Sequence, residues 1–206
     1  MPAEQPSGDG PVLGLPRAQP AERADAARNR KRILDAARDI VRTSGVEGLS
    51  MEEVAHSAGV GVGTVYRRFG DRAGLAYALL DEREREFQES FLRGAPPLGP
   101  AAAAAERITA FLHALVARVE EQSALLLLAE HNTPHARYLS GAYAVHHRHL
   151  AELLRQARPG SDEHYLADAL LAPLGSGMVT YQREIAGMQP ERIKAGLADL
   201  VRALVA

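Results

Sequence analysis

Residues 49–72 constrain the fold of this chain more than any other segment. Ser50 stands ahead of an apolar run and is followed three positions later by a glutamate, the pattern of a helix N-cap with a capping box. Val54, Ala55 and Ala58 then recur at the spacings that give a helix one buried face. Because Ala55 is small, a second helix can cross close by. The segment therefore begins with a short helix against which another helix packs.

A second short helix follows across a sharp turn. Gly59 accepts the positive φ that ends the first helix, and Val60 and Val62 are expected to pack beneath the turn. Val65 and Phe69, four residues apart, give the second helix its buried face. In such a pair the second helix can enter the major groove of double-stranded DNA. The outward side chains of that helix, which we predict to contact DNA, are Thr64, Tyr66, Arg67 and Arg68.

The first predicted helix, at 25–44, concentrates positive charge in a chain whose net charge is only −2. A local basic face of this kind is expected against a phosphate backbone. A solvated helix surface carries the same charges, so this feature does not decide the function alone. The cationic residues are Arg28, Arg30, Lys31, Arg32, Arg38 and Arg42.

The residues around the two short helices fit a known pattern. They are the helix at 33–41, Gly48-Leu49-Ser50, Ala58-Gly59-Val60, Gly63-Thr64-Val65-Tyr66, Phe69, and Asp71-Arg72 ahead of Leu75. The segment from about 28 to 80 resembles the DNA-binding domain of the tetracycline-repressor (TetR/AcrR) family of bacterial transcriptional regulators. Gly61 departs from the family, which often has a capping Ser or Thr there. We expect Ser50, and by the resemblance Arg72, to contact the DNA backbone.

The resemblance implies an all-α protein of about nine helices in two domains. Residues 1–22 carry five prolines and are predicted to form a disordered arm. Residues 23–92 form the predicted DNA-binding domain, with three helices, the helix-turn-helix motif at about 49–68 and a fourth helix at 71–91. Residues 93–206 form the implied effector-binding and dimerisation domain. Its helices are expected at 100–121, 123–130, 134–157, 161–186 and 190–204.

The last two helices carry the predicted surface of a homodimer, which the resemblance implies on an inverted-repeat operator. Apolar stripes at helical spacing run along both helices, and Gly175 and Gly177 permit close helix approach. The same stripes also suit a core within one chain. The stripe residues are Leu166, Leu170, Leu174, Ile193, Leu197, Leu200, Val201 and Leu204.

A cavity for an unidentified small-molecule effector is expected among the earlier helices of the C-terminal domain. Aromatic, histidine and apolar side chains there suit an apolar cavity with a few hydrogen-bonding groups, although core packing remains the alternative for each. No metal site or cofactor is expected, because His131 and His135 straddle Pro134 and no third ligand is placed at a suitable spacing. The candidate lining residues are Phe111, His113, Leu127, His131, Tyr138, Tyr143, His147, Met178 and Tyr181.

Composition narrows the class of protein further. The chain has no cysteine and no charge-free run long enough to span a bilayer, so we predict a cytoplasmic protein without a membrane partner. It lacks the Gly-x-Ser-x-Gly, phosphate-loop and His-Glu-x-x-His motifs, so we predict no enzyme. Two functions remain open: a ligand-responsive repressor that binds DNA, and a helical small-molecule carrier or enzyme with a look-alike helical hairpin.

Overall fold

The computed structural model describes residues 20–130 and 135–205, and this part of the chain is helical without any strand. The first helix begins at Pro20, earlier than expected, and the rest of the predicted arm lies outside the described residues. No helix in the described part is long and apolar enough to cross a membrane. The helices are α1 Pro20–Ser44, α2 Met51–Ala58, α3 Val62–Phe69, α4 Arg72–Arg93, α5 Ala104–Glu121, α6 Ser123–Glu130, α7 Ala136–Leu139, α8 Gly141–Ala157, α9 Glu163–Leu171, α10 Ser176–Thr180 and α11 Pro190–Val205.

Two hydrophobic cores share helix α4. The first core joins α1, α2, α3 and the start of α4, with Ile33, Val54 and Leu75 fully buried. The second joins the end of α4 to α5, α8, α9 and α11. Asp71 caps α4, since its Oδ1 accepts a hydrogen bond from the Gly74 amide at 2.8 Å, as its position predicts. Helix α4 is therefore a continuous rod between the two cores.

The C-terminal half has more helix breaks than the predicted nine helices allow. The segment expected as one helix over 161–186 divides into α9, a 3₁₀ turn at Ala172–Leu174, α10 and a π-helical turn at Tyr181–Ile185. Pro173 has no amide hydrogen to continue α9, and Gly175 has the extended backbone angles φ −64° and ψ 143°. Ser140 similarly separates α7 from α8. The described residues therefore form eleven helices.

The apolar stripes predicted for dimerisation mostly face the chain's own core. Helix α9 packs on α8, and α11 packs on α5, so each turns its more apolar side inward. Leu166 and Leu204 are half-buried at the edge of that core, and Leu200 is 55% exposed. The stripe residues that the core buries, contrary to the prediction, are Leu170, Leu174, Ile193, Leu197 and Val201.

Candidate nucleic-acid interface and cavity

The turn between α2 and α3 has the predicted local geometry. The Ser50 Oγ accepts a hydrogen bond from the Glu53 amide at 3.1 Å, which caps α2. Gly59 has φ 62° in the left-handed region, and the Val60 amide donates to the Ala55 carbonyl at 3.0 Å. These contacts fix the direction in which the chain enters α3.

Helix α3 presents one face to the core and the other to solvent. Val65 and Phe69 are buried, Thr64 is half-buried, and Tyr66 and Arg67 are exposed. These placements follow the predicted helix faces. Val62 differs, since it is 40% exposed and does not pack beneath the turn. The half-buried Val60 alone packs against the core on that side.

The arginines predicted to contact DNA have different surroundings. Arg67 is exposed and forms no hydrogen bond or ion pair within the described part of the chain. Arg68 also lies at the surface, but its guanidinium donates to the Ala26 carbonyl of α1 at 2.5 Å. Arg72 donates to the Val46 carbonyl, and its guanidinium lies 3.9 Å from the Glu47 carboxylate. Arg68 and Arg72 therefore brace the domain, whereas the Arg67 guanidinium is available to a ligand.

Two further contacts organise this surface. The Tyr66 hydroxyl donates to the Glu52 carboxylate at 3.3 Å, and the charge of Glu52 raises the pKa of the phenol. Tyr66 therefore remains a hydrogen-bond donor held in place from α2. Arg32 donates to the Ala58 carbonyl at 2.5 Å, at the carboxyl end of α2, where a cation is favourable. The local sequence pattern gives no sign of this contact, which joins α1 to α2.

The basic face of α1 is largely paired within the helix. Lys31 and Arg38 both contact Asp35, at 2.8 and 2.9 Å, and their hydrogen bonds lower the pKa of that carboxyl. Arg42 pairs with Asp39 at 3.2 Å. Exposed pairs of this kind contribute little to stability. Little free energy is therefore lost if a phosphate replaces the carboxylate partner.

A cavity of about 710 Å³ lies among α4, α5, α6, α7 and α8. Apolar residues form much of its wall, and polar groups lie mainly along α4 and at the ends of α6 and α8. Its volume is that of a site for a small organic molecule. The apolar lining residues are Leu80, Leu115, Val119, Leu126, Leu139, Val145 and Leu174.

Of the predicted effector residues that the structure describes, Tyr143 alone lines this cavity. Phe111 is fully buried in the core against Phe91. His113 lines a separate groove beside α11, 2.9 Å from the Lys194 carbonyl. His147 lies on the other side of α8, 3.2 Å from a carbonyl of α9. The predicted residues that are exposed instead are Leu127, Tyr138, Met178 and Tyr181, and His131 lies outside the described residues.

The sequence patterns placed these effector residues wrongly because an amphipathic helix does not reveal which neighbour covers each of its faces. Residue 146, rather than 147, points toward the cavity, and the shift of one position rotates the side chain by about 100° around the helix. For His147 the sequence therefore predicted the correct helix but the wrong face of that helix.

A buried polar network on the cavity wall was not predicted. The Glu84 carboxylate of α4 lies 2.9 Å from Nε2 of His146 in α8 and 2.8 Å from Nη2 of Arg118 in α5. Gln88 donates a further hydrogen bond to Glu84 at 2.8 Å. Burial alone would raise the pKa of Glu84, but His146, Gln88 and Arg118 outweigh it and hold that pKa below its usual value. The network ties three helices together at the cavity.

His149 lies next to this network and titrates unusually. Burial, with the positive charge of Arg107 nearby, lowers the pKa of His149 from 6.5 to about 4. Its ring packs against Phe91 and Phe111, with centroids 4.4 and 5.0 Å away. The folded protein therefore holds this imidazole neutral at pH values where the unfolded chain protonates it.

We expect the stability conferred by neutral His149 to be present above about pH 6.5 and to be lost as the pH falls toward 4. At pH 5 the loss relative to pH 7 should be about 1 kcal/mol, less than the full shift implies because solvent reaches part of the ring. Urea unfolding at both pH values measures it. His149→Phe keeps an aromatic ring there and should flatten the difference; an equal slope in the variant would contradict this assignment.

Two short helices that cross at a glycine turn, with the second carrying an arginine that has no partner among the described residues, define a helix-turn-helix protein. Residues 33–79 match the family model for bacterial regulatory proteins of the tetR family. The match covers the helix-turn-helix part of the chain. An HTH-type transcriptional regulator of Staphylococcus aureus (strain USA300) is 41% identical over 58 residues, which are 28% of this chain and 31% of that relative. The sequence match thus spans about a third of the relative's length.

Solved structures resemble the chain over most of its length. A Rhodococcus sp. protein assigned to the TetR family of transcriptional regulators superposes with a TM-score of 0.61 at 23% identity, over 87% of this chain and 100% of that one. The transcriptional regulator FadR from Bacillus subtilis, in complex with stearoyl-CoA, has a TM-score of 0.61 at 15% identity, over 83% and 96% of the two chains. At these identities the likeness shows the shared fold: an N-terminal helix-turn-helix domain followed by a helical C-terminal domain.

Proposed function

We propose that this protein is a sequence-specific DNA-binding transcriptional regulator, a homodimeric repressor released from an inverted-repeat operator by a small molecule. The observation that carries the proposal is the surface of α3. Its core face is closed by Val65 and Phe69, while Arg67 stands exposed and unpaired among the described residues beside the braced Tyr66. Guanidinium and phenol donors on a helix of this kind can reach base edges and phosphates.

A second copy of the chain is the proposed partner of the C-terminal helices. Large apolar side chains remain exposed there although most residues of the stripes predicted for this role are buried. A two-fold dimer would place two α3 helices in successive major grooves, about 34 Å apart. The exposed residues that support a dimer surface are Tyr165, Met178, Tyr181, Ile185 and Leu200.

The cavity is the proposed effector site, and α4 is the proposed connection to DNA. Leu75 at one end of α4 packs in the DNA-binding core, while Glu84 further along lines the cavity. The effector would bind more tightly to the state of the dimer whose α3 spacing does not fit the operator, and it would therefore lower DNA affinity. DNA lowers effector affinity by the same factor, because the coupling is reciprocal. The stearoyl-CoA complex of the structurally similar FadR supports effector binding in this fold.

We expect Arg67→Ala to weaken binding to the selected operator about tenfold to a hundredfold, because a good side-chain contact to a base contributes about 1 to 3 kcal/mol. The thermal unfolding midpoint should not change, since Arg67 is exposed and forms no hydrogen bond or ion pair within the described chain. Fluorescence anisotropy with a labelled duplex measures the affinity. Arg192→Ala, an exposed arginine of α11, is the control and should bind DNA as the unmodified protein does.

The proposal as a whole is tested by selecting bound sequences from a random duplex pool. An inverted repeat, with affinity that falls steeply as salt rises, is the expected result. Failure to bind any duplex at low salt would instead favour the carrier or enzyme. Equal operator affinity for the unmodified protein and Arg67→Ala would show that α3 does not read the groove.

A further inference from the structure

Glu130, the last residue of α6, places a carboxylate on the cavity wall without a counter-ion among the described residues. Its described partner is the Ser176 hydroxyl, which donates to Oε2. No lysine, arginine or histidine nitrogen of the described residues lies within ion-pair distance of it. A carboxylate facing apolar walls is costly unless it is paired, so a cationic group is the complementary ligand.

The other charged groups of the cavity are already engaged or lie at its rim. Glu84 is neutralised by Arg118 at 2.8 Å and contacts His146. Arg137 donates to a backbone carbonyl at 3.0 Å, and its guanidinium lies over a tyrosine ring. Asp81 and Arg85 are exposed on α4 at the rim. The unpaired charge of the described interior is therefore negative and is centred on Glu130.

Tyr77 supplies a second group that lacks a partner in the described part of the chain. Its hydroxyl is buried on the cavity wall and forms no hydrogen bond with any described residue. Burial, with the nearby charge of Glu130, raises the pKa of Tyr77, so the phenol stays neutral. A neutral phenol oxygen can accept a hydrogen bond, and an ammonium group has three donors to share between this oxygen and the carboxylate.

We infer that the cavity binds a hydrophobic amine, with its ammonium group between Glu130 and Tyr77 and its hydrocarbon part along Leu80, Leu115 and Leu126. The volume of about 710 Å³ and the apolar walls suit such a molecule. This assignment rests on the proposed function only in that it treats the cavity as the effector site. It specifies the ligand's charge, which the fold alone does not determine.

The test uses three probes with the same twelve-carbon chain: dodecylammonium, dodecanol and dodecanoate. Each is titrated into the full-length protein at pH 7 by isothermal calorimetry, below the concentration at which it aggregates. Dodecylammonium should bind about tenfold more tightly than dodecanol, because a hydrogen bond to a charged group is stronger than a neutral one. Dodecanoate should bind more weakly than dodecanol. Equal or tighter binding of dodecanol or dodecanoate overturns the inference.

Glu130→Gln removes the charge and keeps the shape of the side chain. It should lower dodecylammonium affinity about tenfold and leave dodecanol affinity unchanged. Glu86→Gln, an exposed residue of α4 outside the cavity, is the matched control and should change neither. Unchanged dodecylammonium affinity in Glu130→Gln overturns the inference.

Loss of dodecanol binding in Glu130→Gln would mean that the cavity itself had collapsed. Tyr77→Phe then decides, since it should lower dodecylammonium affinity about threefold without affecting dodecanol. No change in that variant overturns the inference. Calorimetry requires no DNA, so the two proposals fail separately. Operator binding without a preference for dodecylammonium would contradict the amine assignment alone. A preference for dodecylammonium without operator binding would contradict the regulatory proposal alone.

Discussion

Phe111→Ala should lower the free energy of unfolding by about 3 to 5 kcal/mol, the cost of truncating a large aromatic residue in a packed core. Phe111 is fully buried, and its ring centroid lies 5.0 Å from that of Phe91 and 5.5 Å from that of Phe87. His146 and His149 close the same cluster from α8. Urea unfolding followed by circular dichroism measures the loss.

Phe111→Leu is the control, since it preserves most of the apolar volume and should cost less than the alanine variant. The experiment also decides between the two roles that the sequence left open for this residue. The core assignment of Phe111 is wrong if the free energy of unfolding of Phe111→Ala lies within about 1 kcal/mol of that of the unmodified protein and the variant instead alters ligand preference. Phe111 would then belong to the effector cavity.

Glu84→Leu should destabilise the protein by a comparable amount, about 3 to 5 kcal/mol, because it leaves a buried cation without its partner. The side chains of Glu84 and Arg118 are 7% and 11% exposed. Removing the carboxylate also removes the acceptor for His146 and Gln88. The same unfolding measurement applies.

A second substitution separates the lost partner from the lost packing. In the Glu84→Leu background, Arg118→Met removes the stranded charge and should restore much of the stability, because an apolar pair can replace a buried ion pair at little cost. If the double variant is no more stable than Glu84→Leu, the loss of stability does not come from the unpaired charge of Arg118. Another contact would then be responsible, such as the hydrogen bond from Arg118 to the Arg83 carbonyl at 2.8 Å.

The helix-turn-helix was predictable because short-range contacts specify it. The cap from Ser50 to the Glu53 amide spans three residues, and the left-handed Gly59 ends α2 through bonds to the preceding turn. The buried positions Val65 and Phe69 follow the helical period. Only Val62 was misplaced, because its exposure depends on what the neighbouring helices cover.

The roles of the arginines were not predictable in the same way. Arg67, Arg68 and Arg72 look alike in the sequence, as cations in or just after the second helix of the motif. Arg68 is 42 residues from its partner Ala26, and Arg72 is 26 residues from Val46. Tertiary packing brings Ala26 of α1 to Arg68, and Val46 in the 3₁₀ turn after α1 to Arg72. It leaves Arg67 without a hydrogen bond or ion pair among the described residues.

The sequence by itself determined the helical class, the helix-turn-helix and most helix ends, because caps, glycine turns and apolar periods act within a few residues. Tertiary structure decided which face of each C-terminal helix is buried, so that Leu170 and Leu197 lie in the core and Tyr165 and Leu200 lie on the surface. It also brought Glu130 to the cavity wall without a cation within reach in the described chain. These outcomes depend on contacts between distant segments, which helical periodicity does not encode.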